Sequence, residues 1–538
     1  VSTEPLPAVR GDLSLGVDVG GTNTDAVVLD ASDTVIAHTK QPTTEDVTGG
    51  IRAAIAAVLE TLGGRRAEVR RVMMGTTHAT NAIVGRRGLG RVAVIRLGAP
   101  AATGYPPLTG WPRDLRDSVL AGAAVLPGGH MVDGMPISKL NPAAVGAFLD
   151  GLEGPVDAVA VCGIFSPSFP EQEAQVAEIV RARLGGGVPV SLSQDIGAIG
   201  LLERENATVL NAALYGIARG VTDALLTVVQ EQGLGDAAVY FAQNDGTLMA
   251  LDFAARHPVL TIGSGPANSI RGAAFLSGAE NAIVVDVGGT TSDLGVVVSG
   301  FPRESTLPRE IGGVRTNFRM PDILSIGVGG GTRVDPATGR LGPDSVGHRL
   351  HTMALAFGGD TATLTDAAVH TGRAGGAPDW SVDVAPATGA SLEKALGRAH
   401  EWLQESVERL SHGKTDLPLV VVGGGGFLVP DDLPGAGTVL RPAHGDVANA
   451  VGAAMSLAGG RAHEIGTYEG RDEAVAKASQ AAVERAIEAG ADPLRVEVVD
   501  ILETPVSYST QQTIRVSVKA AGPLARLGSR DSPPVARA

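Results

Sequence analysis

Asp18-Val-Gly-Gly-Thr-Asn-Thr-Asp25 returns later in the chain as Asp286-Val-Gly-Gly-Thr-Thr-Ser-Asp293. The flanks return with it. Leu15-Gly-Val17 leads into the first copy and Ala26-Val-Val-Leu29 leaves it. Ile283-Val-Val285 leads into the second and Leu294-Gly-Val-Val-Val298 leaves that one. Each copy reads as an apolar strand, a Gly-Gly turn and a second apolar strand, which is a β-hairpin with a polar tip. Paired glycines let backbone N–H groups converge on an anion without Cβ obstruction. The Thr and Ser hydroxyls add donors, and the leading Asp can hold Mg²⁺ directly or through water. Ordinary hairpins also carry Asp-x-Gly-Gly, so one copy decides nothing. Two copies matched position by position point to a shared task, the gripping of a nucleoside triphosphate from both sides of a cleft.

Composition bounds the alternatives. The 538 residues allow three or four units by length, and a 44% hydrophobic fraction with only 3% aromatic side chains means a core of Ala, Val, Leu and Ile. A net charge of −15 argues against nucleic acid or an anionic membrane surface as partner. Cys162 is the single cysteine, which excludes an intramolecular disulfide, a thiolate zinc cage and an iron–sulfur cluster. Its setting, Ala158-Val-Ala-Val-Cys-Gly-Ile-Phe165, is that of a buried strand, so it reads as core filler. No apolar run reaches the ~20 residues of a membrane span, and Val1-Ser-Thr-Glu-Pro5 has no signal-peptide pattern. The expectation is a cytoplasmic protein.

From residue 13 to about 200, strands centred on Leu15–Val19, Val27–Leu29, Val72–Met74, Val92–Ile95, Ala158–Ile164 and Val188–Leu192 alternate with helical stretches at Thr44–Leu62 and Glu171–Leu184. This is α/β patterning. One long helix is expected from about Leu201 to Gln232. A second α/β half follows from about Ala237, with strands at Ala238–Ala242, Ile283–Val287, Leu294–Val298 and Leu419–Val422. Gly327–Gly359 is glycine-rich and reads as a loop around a site. Arg471–Ala489 reads as a helix, Arg495–Thr504 and Gln512–Lys519 as a terminal strand pair, and the tail from Gly522 as unpacked. The expected division is therefore a 1–12 extension, a 13–202 lobe, a 203–460 lobe, a 461–521 C-terminal unit and a 522–538 tail.

A third glycine cluster closes Leu419-Val-Val-Val-Gly-Gly-Gly-Gly426. A strand ending in glycines suits the flat face of an adenosine, although a flexible turn explains it too. Hairpin, hairpin, glycine-rich strand end is the order of actin-like ATPase folds of the sugar kinase, Hsp70 and actin type, two-lobed and built on duplicated phosphate-binding hairpins.

Further segments carry a more specific resemblance. Gly75-Thr-Thr-His-Ala-Thr-Asn-Ala82, Glu203-Arg-Glu-Asn-Ala-Thr-Val-Leu-Asn-Ala212, Gly263-Ser-Gly-Pro-Ala267, Ile326-Gly-Val-Gly-Gly-Gly-Thr332 and Thr365-Asp-Ala367 follow one another. In this order they resemble the A-type chain of the ATP-dependent hydantoinase/5-oxoprolinase family, over residues 13 to about 520. The resemblance implies an ATP-hydrolysing cyclic amidohydrolase that phosphorylates the amide oxygen so that water can open the ring. It implies Asp18 and Asp286 as the catalytic and metal-organising pair. It implies a cradle of Gly20, Gly21, Thr22, Asn23, Thr24, Gly288, Gly289, Thr290 and Thr291 around the phosphates, with Asp25 and Asp293 bracing the hairpins. Gly424 and Gly425 would lie along the adenosine. ATP and Mg are the implied cofactors, a small cyclic amide the substrate and a separate B-type hydantoinase subunit the partner, the present chain being half of an enzyme; self-association into a homo-oligomer stays open. The chain departs from the family pattern at Arg96–Pro107 and at His348–Phe357, where substrate or partner contacts are expected.

Single residues leave alternatives. His348 and His351, three apart, fit either a metal pair or a loop-stabilising pair. His78 fits either an acid–base role or a structural one. Ser264 opens a helix and serves either an anion at its N–H groups or simple capping. No Gly-x-Ser-x-Gly elbow and no Walker A lysine is present, so serine-hydrolase and P-loop readings fail. Two rival functions share the hairpins: an actin-like ATPase that remodels or reactivates a protein partner, and a small-molecule kinase. The latter is weakened because no kinase segment with a catalytic Asp stands in the N-terminal half.

Overall fold

Both repeats fold as hairpins. Leu13–Val19 pairs antiparallel with Asn23–Leu29, placing Asp18 opposite Asp25. Ala282–Val287 pairs antiparallel with Ser292–Val298, placing Asp286 opposite Asp293. The computed structural model describes residues 12–20, 23–42, 47–197, 199–305, 308–317, 320–374, 380–414, 416–455, 457–506 and 512–525.

Each hairpin sits in its own sheet with the same neighbours. In the first sheet the order Val35–Pro42, Asn23–Leu29, Leu13–Val19, Val69–Thr76, Ala238–Ala242 has three antiparallel strands followed by two parallel ones. In the second, Phe301–Pro302, Ser292–Val298, Ala282–Val287, Leu419–Val422 and Val439–Leu440 repeat that order and those directions. Strands buried on both faces need no polar alternation, which explains all-buried runs such as Leu419-Val-Val-Val422. A pair of five-stranded units with matching topology is the actin-like, two-lobed α/β architecture.

Between Val69–Thr76 and Ala238–Ala242 the chain builds a separate parallel sheet, ordered Leu120–Pro127, Val92–Ala99, Ala158–Gly163, Val190–Leu192. Cys162 is buried in it, its thiol pushed up to about 12 by burial, as a core residue should be.

Three expectations need correcting. Ala238–Ala242 joins the first sheet rather than the second, lying parallel to Val69–Thr76. The terminal strands Glu497–Val506 and Thr513–Gly522 also extend the first sheet, through Ala458–Thr467 and Leu248–Ala250. An apolar run declares itself a strand but carries no label for its sheet. The stretch after Gly200 is two helices, Leu201–Ala213 and Tyr215–Glu231, bent by 48°. The first is buried along most of its length and the second is amphipathic, so each turns to the surface it covers. No single helix among the described residues is long and apolar enough to cross a membrane. Most of the tail, from residue 526, lies outside the described residues.

Two helices lie between the sheets and position the site. Ser264–Ser277 packs on the second sheet, and Ala448–Ala454 packs on the first. They cross at glycines: a Cβ on Gly272 would overlap the Ala448 carbonyl, and one on Gly452 would overlap the Asn268 carbonyl. Backbones meeting this closely bring the side chains of both helices to both hairpins.

Candidate functional site

Asp18, one residue before its strand ends at Val19, is 3% exposed in a niche made by three elements. Asn449, from the Ala448–Ala454 helix, donates its amide to Oδ2 at 2.9 Å. Gly75, directly opposite in register, leaves room for the carboxylate, since a Cβ there would overlap Oδ1 and crowd the Asn268 amide. Oδ1 lies beside the Asn268 amide, close enough to feel it but without a well-formed hydrogen bond. Burial, reinforced by the negative charge of Asp25 and then Asp286, pushes the Asp18 pKa up to about 7 against the opposing Asn268 and Asn449 amides.

Asp286 has the parallel setting in the other lobe. Ser269 donates to its Oδ2 at 2.5 Å, and a Cβ on Gly423 would overlap its Oδ1. Its pKa is also raised, by burial. The bracing residues differ: Lys40 Nζ reaches both oxygens of Asp25 at 2.7 Å, whereas Asp293 takes a hydroxyl from Ser325 at 2.5 Å. Asn268 and Ser269, consecutive on the Ser264–Ser277 helix, stand beside Asp18 and on Asp286, so one helix brings the two carboxylates together, and Asp286 adds to the raised pKa of Asp18, Asp25 and Asp293.

The tip of the second hairpin is held open. Gly288 N–H donates to Thr291 O at 2.9 Å, closing the turn. Gly330 and Gly331 donate to the carbonyls of Gly288 and Gly289 at 3.0 and 2.6 Å, so the Gly327–Thr332 segment supports the turn from behind. The N–H groups of Gly289 and Thr290 meet no acceptor among the described residues, and Thr290 and Thr291 are exposed. In the first hairpin Gly20 N–H closes on Asn23 O at 3.0 Å, Asn23 is half-buried and Thr24 buried. Gly21 and Thr22 lie outside the described residues. Of the third cluster, Gly424 is exposed with open space at its Cβ position, while Gly425 is buried and donates to Val287 O at 2.8 Å.

Among the described residues no group of three or more His, Cys, Asp or Glu is placed to hold a metal. Asp18 and Asp286 still suit Mg²⁺, which keeps several waters and takes one or two carboxylates plus phosphate oxygens. Asp18 Oδ1, without a well-formed hydrogen bond, and the space kept by Gly75 and Gly423 fit that demand.

Other candidates separate from this space. His78 follows Thr76 at the end of its strand, bonded to the Thr76 hydroxyl through Nδ1, its pKa lowered by burial. It lines a mostly apolar cavity with Leu214, Ile217 and Phe241. Ser264 does not cap its helix; Gly263 holds the cap position, and the Ser264 hydroxyl reaches Thr76 O at 3.3 Å. His351 packs on Phe357 with ring centroids 4.6 Å apart, and the His348 side chain is outside the described set. Arg96, in a stretch expected to touch substrate, is instead buried in a bidentate pair with Glu205, both contacts at 2.6 Å.

Residues 14–184 match the profile described as the hydantoinase/oxoprolinase N-terminal region, and residues 204–377 match that described as hydantoinase/oxoprolinase. The chain belongs to the hydantoinase/oxoprolinase family. Its relatives include the caprolactamase subunit alpha of Pseudomonas jessenii, 28% identical over 74% of this chain and 60% of that one. The acetone carboxylase beta subunit of Xanthobacter autotrophicus is 25% identical over 67% of this chain and 54% of that one. The 5-oxoprolinase 1 of Arabidopsis thaliana is 26% identical over 72% of this chain and 34% of its own length. The chain thus spans between about a third and three fifths of the length of these relatives. The crystal structure of the ATP-dependent caprolactamase superposes with a TM-score of 0.75 at 20% identity, over 97% of this chain and 90% of that one. The nucleotide-free acetone carboxylase gives 0.63 at 18%, over 95% and 88%. These likenesses establish the two-lobed fold, and the family is one of ATP-dependent enzymes acting on amides or in carboxylation.

Sequence reasoning missed Asn268, Ser269, Asn449 and Lys40. Asn449 had a signal: it is the one polar residue in Ala448-Asn-Ala-Val-Gly-Ala-Ala454, and a lone amide in a small-residue helix asks for a buried partner.

Proposed function

We propose that this chain is the ATP-using component of an amide-opening hydrolase, acting on a small cyclic amide of hydantoin or 5-oxoproline type. The observation that carries the reading is the convergence of Asp18 and Asp286, from duplicated turns in different lobes, on one space beside the unengaged N–H groups of Gly289 and Thr290. A Mg²⁺ ion bound there would offset phosphate charge. Asp18 and Asp286 would hold it and its waters, and Asn449 and Ser269 keep the two carboxylates in place. Gly289 and Thr290 would give N–H groups to phosphate oxygens, with Gly20, Asn23 and Thr24 of the first turn opposite and Gly424 along the adenosine; Gly21 and Thr22, expected in the same cradle from the sequence, lie outside the described residues. Gly425, its N–H taken by Val287, serves there by its lack of a side chain. The γ-phosphoryl group then passes from ADP oxygen to amide oxygen; water adds to the activated ring carbon, the C–N bond breaks with the nitrogen leaving as the protonated amine, and hydrolysis of the resulting acyl phosphate releases phosphate and the ring-opened acid.

The two sheets close on nucleotide because its phosphates bridge them. A B-type subunit completes hydrolysis, a reading supported by the subunit names that relatives carry. The test is ring-opened product per ATP, for the chain alone and with its partner subunit. Slow ATP use alone and coupled ring opening with the partner are expected. Full coupled turnover by the single chain would contradict the division of labour, and ATP use that responds only to a protein would favour the remodelling reading.

A further inference from the structure

Ala238–Ala242 runs parallel to Val69–Thr76 and to Leu13–Val19, so the three strands end on one edge of the first sheet. Ligands of open α/β sheets bind outside the carboxyl ends of such strands. Asp18 marks that edge on one strand. Two strand spacings away, roughly 10 Å, the chain leaves Ala242 as Gln243-Asn-Asp-Gly-Thr247 and forms the wall of a cavity of about 80 Å³. The cavity has room for a handful of waters or a ring of comparable heavy-atom count.

Its lining is polar and asks for an oxygen acceptor. Asn244 is 4% exposed, and its Nδ2 has no hydrogen-bond partner. Arg461 is paired with Glu304 through Nη2 at 2.5 and 2.7 Å, but its Nη1 is buried without a partner. Arg485 donates to the carbonyls of Arg461 and Gln194 and forms no ion pair among the described residues. The neighbouring Asp245 also lines the cavity, and its charge is shared between Lys519 and Arg461. Thr247 donates to its Oδ1 at 2.6 Å and Lys519 lies 2.8 Å from Oδ2. Spare donors from an amide and a guanidinium, beside Arg485, which feels Asp195 but makes no ion pair within 4 Å among the described residues, constitute a carboxylate-binding arrangement. Asp195, more exposed, lines the same cavity and is an acceptor for a ring N–H.

We propose that this cavity binds the amide substrate and selects cyclic amides bearing a carboxylate, which Asn244, Arg461 and Arg485 hold while the ring amide faces the phosphates. The proposal rests on the amide-activating reading and adds to it a place and a selectivity rule. It separates substrates such as 5-oxoproline from plain lactams with the same ring.

Two probes isolate the rule: 5-oxoproline, and 2-pyrrolidinone, the same ring without the carboxylate. Each is titrated calorimetrically into the full chain with Mg²⁺ and a non-hydrolysable ATP analogue, and again without nucleotide. The expected result is at least about tenfold tighter binding of 5-oxoproline, with that preference lost in Asn244→Leu and in Arg485→Gln, the scale of one hydrogen bond to a charged group. Affinity for the ATP analogue stays at the parent value in both variants. Equal binding of the two probes, absence of 5-oxoproline binding, or an unchanged preference in both variants would overturn the proposal, leaving a water-filled polar pocket. Failure of the nucleotide reading shows separately, as loss of analogue binding in the parent.

Discussion

The two hairpins share a sequence and a register but differ in their surroundings. Asp18 is almost fully buried, held by Asn449 and crowded by Asp25. Asp286 is somewhat less buried and held by a single serine hydroxyl. The brace of the first hairpin is an ion pair, Lys40 with Asp25, and that of the second a neutral donor, Ser325 on Asp293. The second turn is also supported from behind by the glycine run Gly330–Gly331. On the proposed nucleotide reading, the difference divides the duplication: the first copy would store a strained carboxylate for a cation to relieve, and the second would supply a pre-formed turn for phosphate.

If the copies divide the work in this way, neither can be spared. Asp18→Asn and Asp286→Asn should each lower ATP turnover by about a hundredfold or more while the fold is kept, since each removes charge at the metal. Steady-state rates with circular dichroism as the folding control check this. Parent-like turnover in either variant would break the comparison at its strongest point.

The braces should differ next. Lys40→Met leaves the nearly buried Asp25 carboxylate uncompensated and should cost about 2 kcal/mol, discounted because Lys40 is itself about a third exposed. Ser325→Ala removes one hydroxyl from Asp293 and should cost about 1 kcal/mol. Denaturant melts read both, and a larger loss at Ser325 would reverse the assignment of the charged hairpin.

A smaller effect lies in pH. The folded Asp18 pKa of about 7 stands above its ordinary 3.8, so folding favours its protonated form. The cost of its charge is absent below about pH 4, grows between about 4 and 7, and is complete above 7. The nucleotide-free chain should therefore lose stability across that window, and Mg²⁺ with nucleotide should stabilise it more at pH 8 than at pH 6. Asp18→Asn should flatten the first trend and raise the melting temperature of the nucleotide-free protein at pH 8. Thermal shift measurements between pH 5 and 8 would show a flat parent profile if the carboxylate were unstrained.

What was legible in the sequence follows the same contrast between local and distant contacts. The hairpins, the glycine turns and the α/β patterning declare themselves because a strand–turn–strand is written in consecutive residues. The partners of Asp18 do not. Asn449 lies 431 positions away and Asn268 250, and both arrive only because Gly272 and Gly452 let their helices touch. The sheet of Ala238–Ala242 was unreadable for a related reason, since a parallel pairing after a long insertion leaves no local mark. Arg96 shows the reverse error: a charged residue in a divergent stretch looked functional, and its charge is spent on Glu205.

The central claim is that both turns serve one nucleotide, and equilibrium titration of an ATP analogue with Mg²⁺ tests it most directly. The account predicts one nucleotide per chain, with Mg²⁺-dependent affinity lost in Asp18→Asn and in Asp286→Asn alike. Two nucleotides per chain, or parent affinity in either variant, would contradict it.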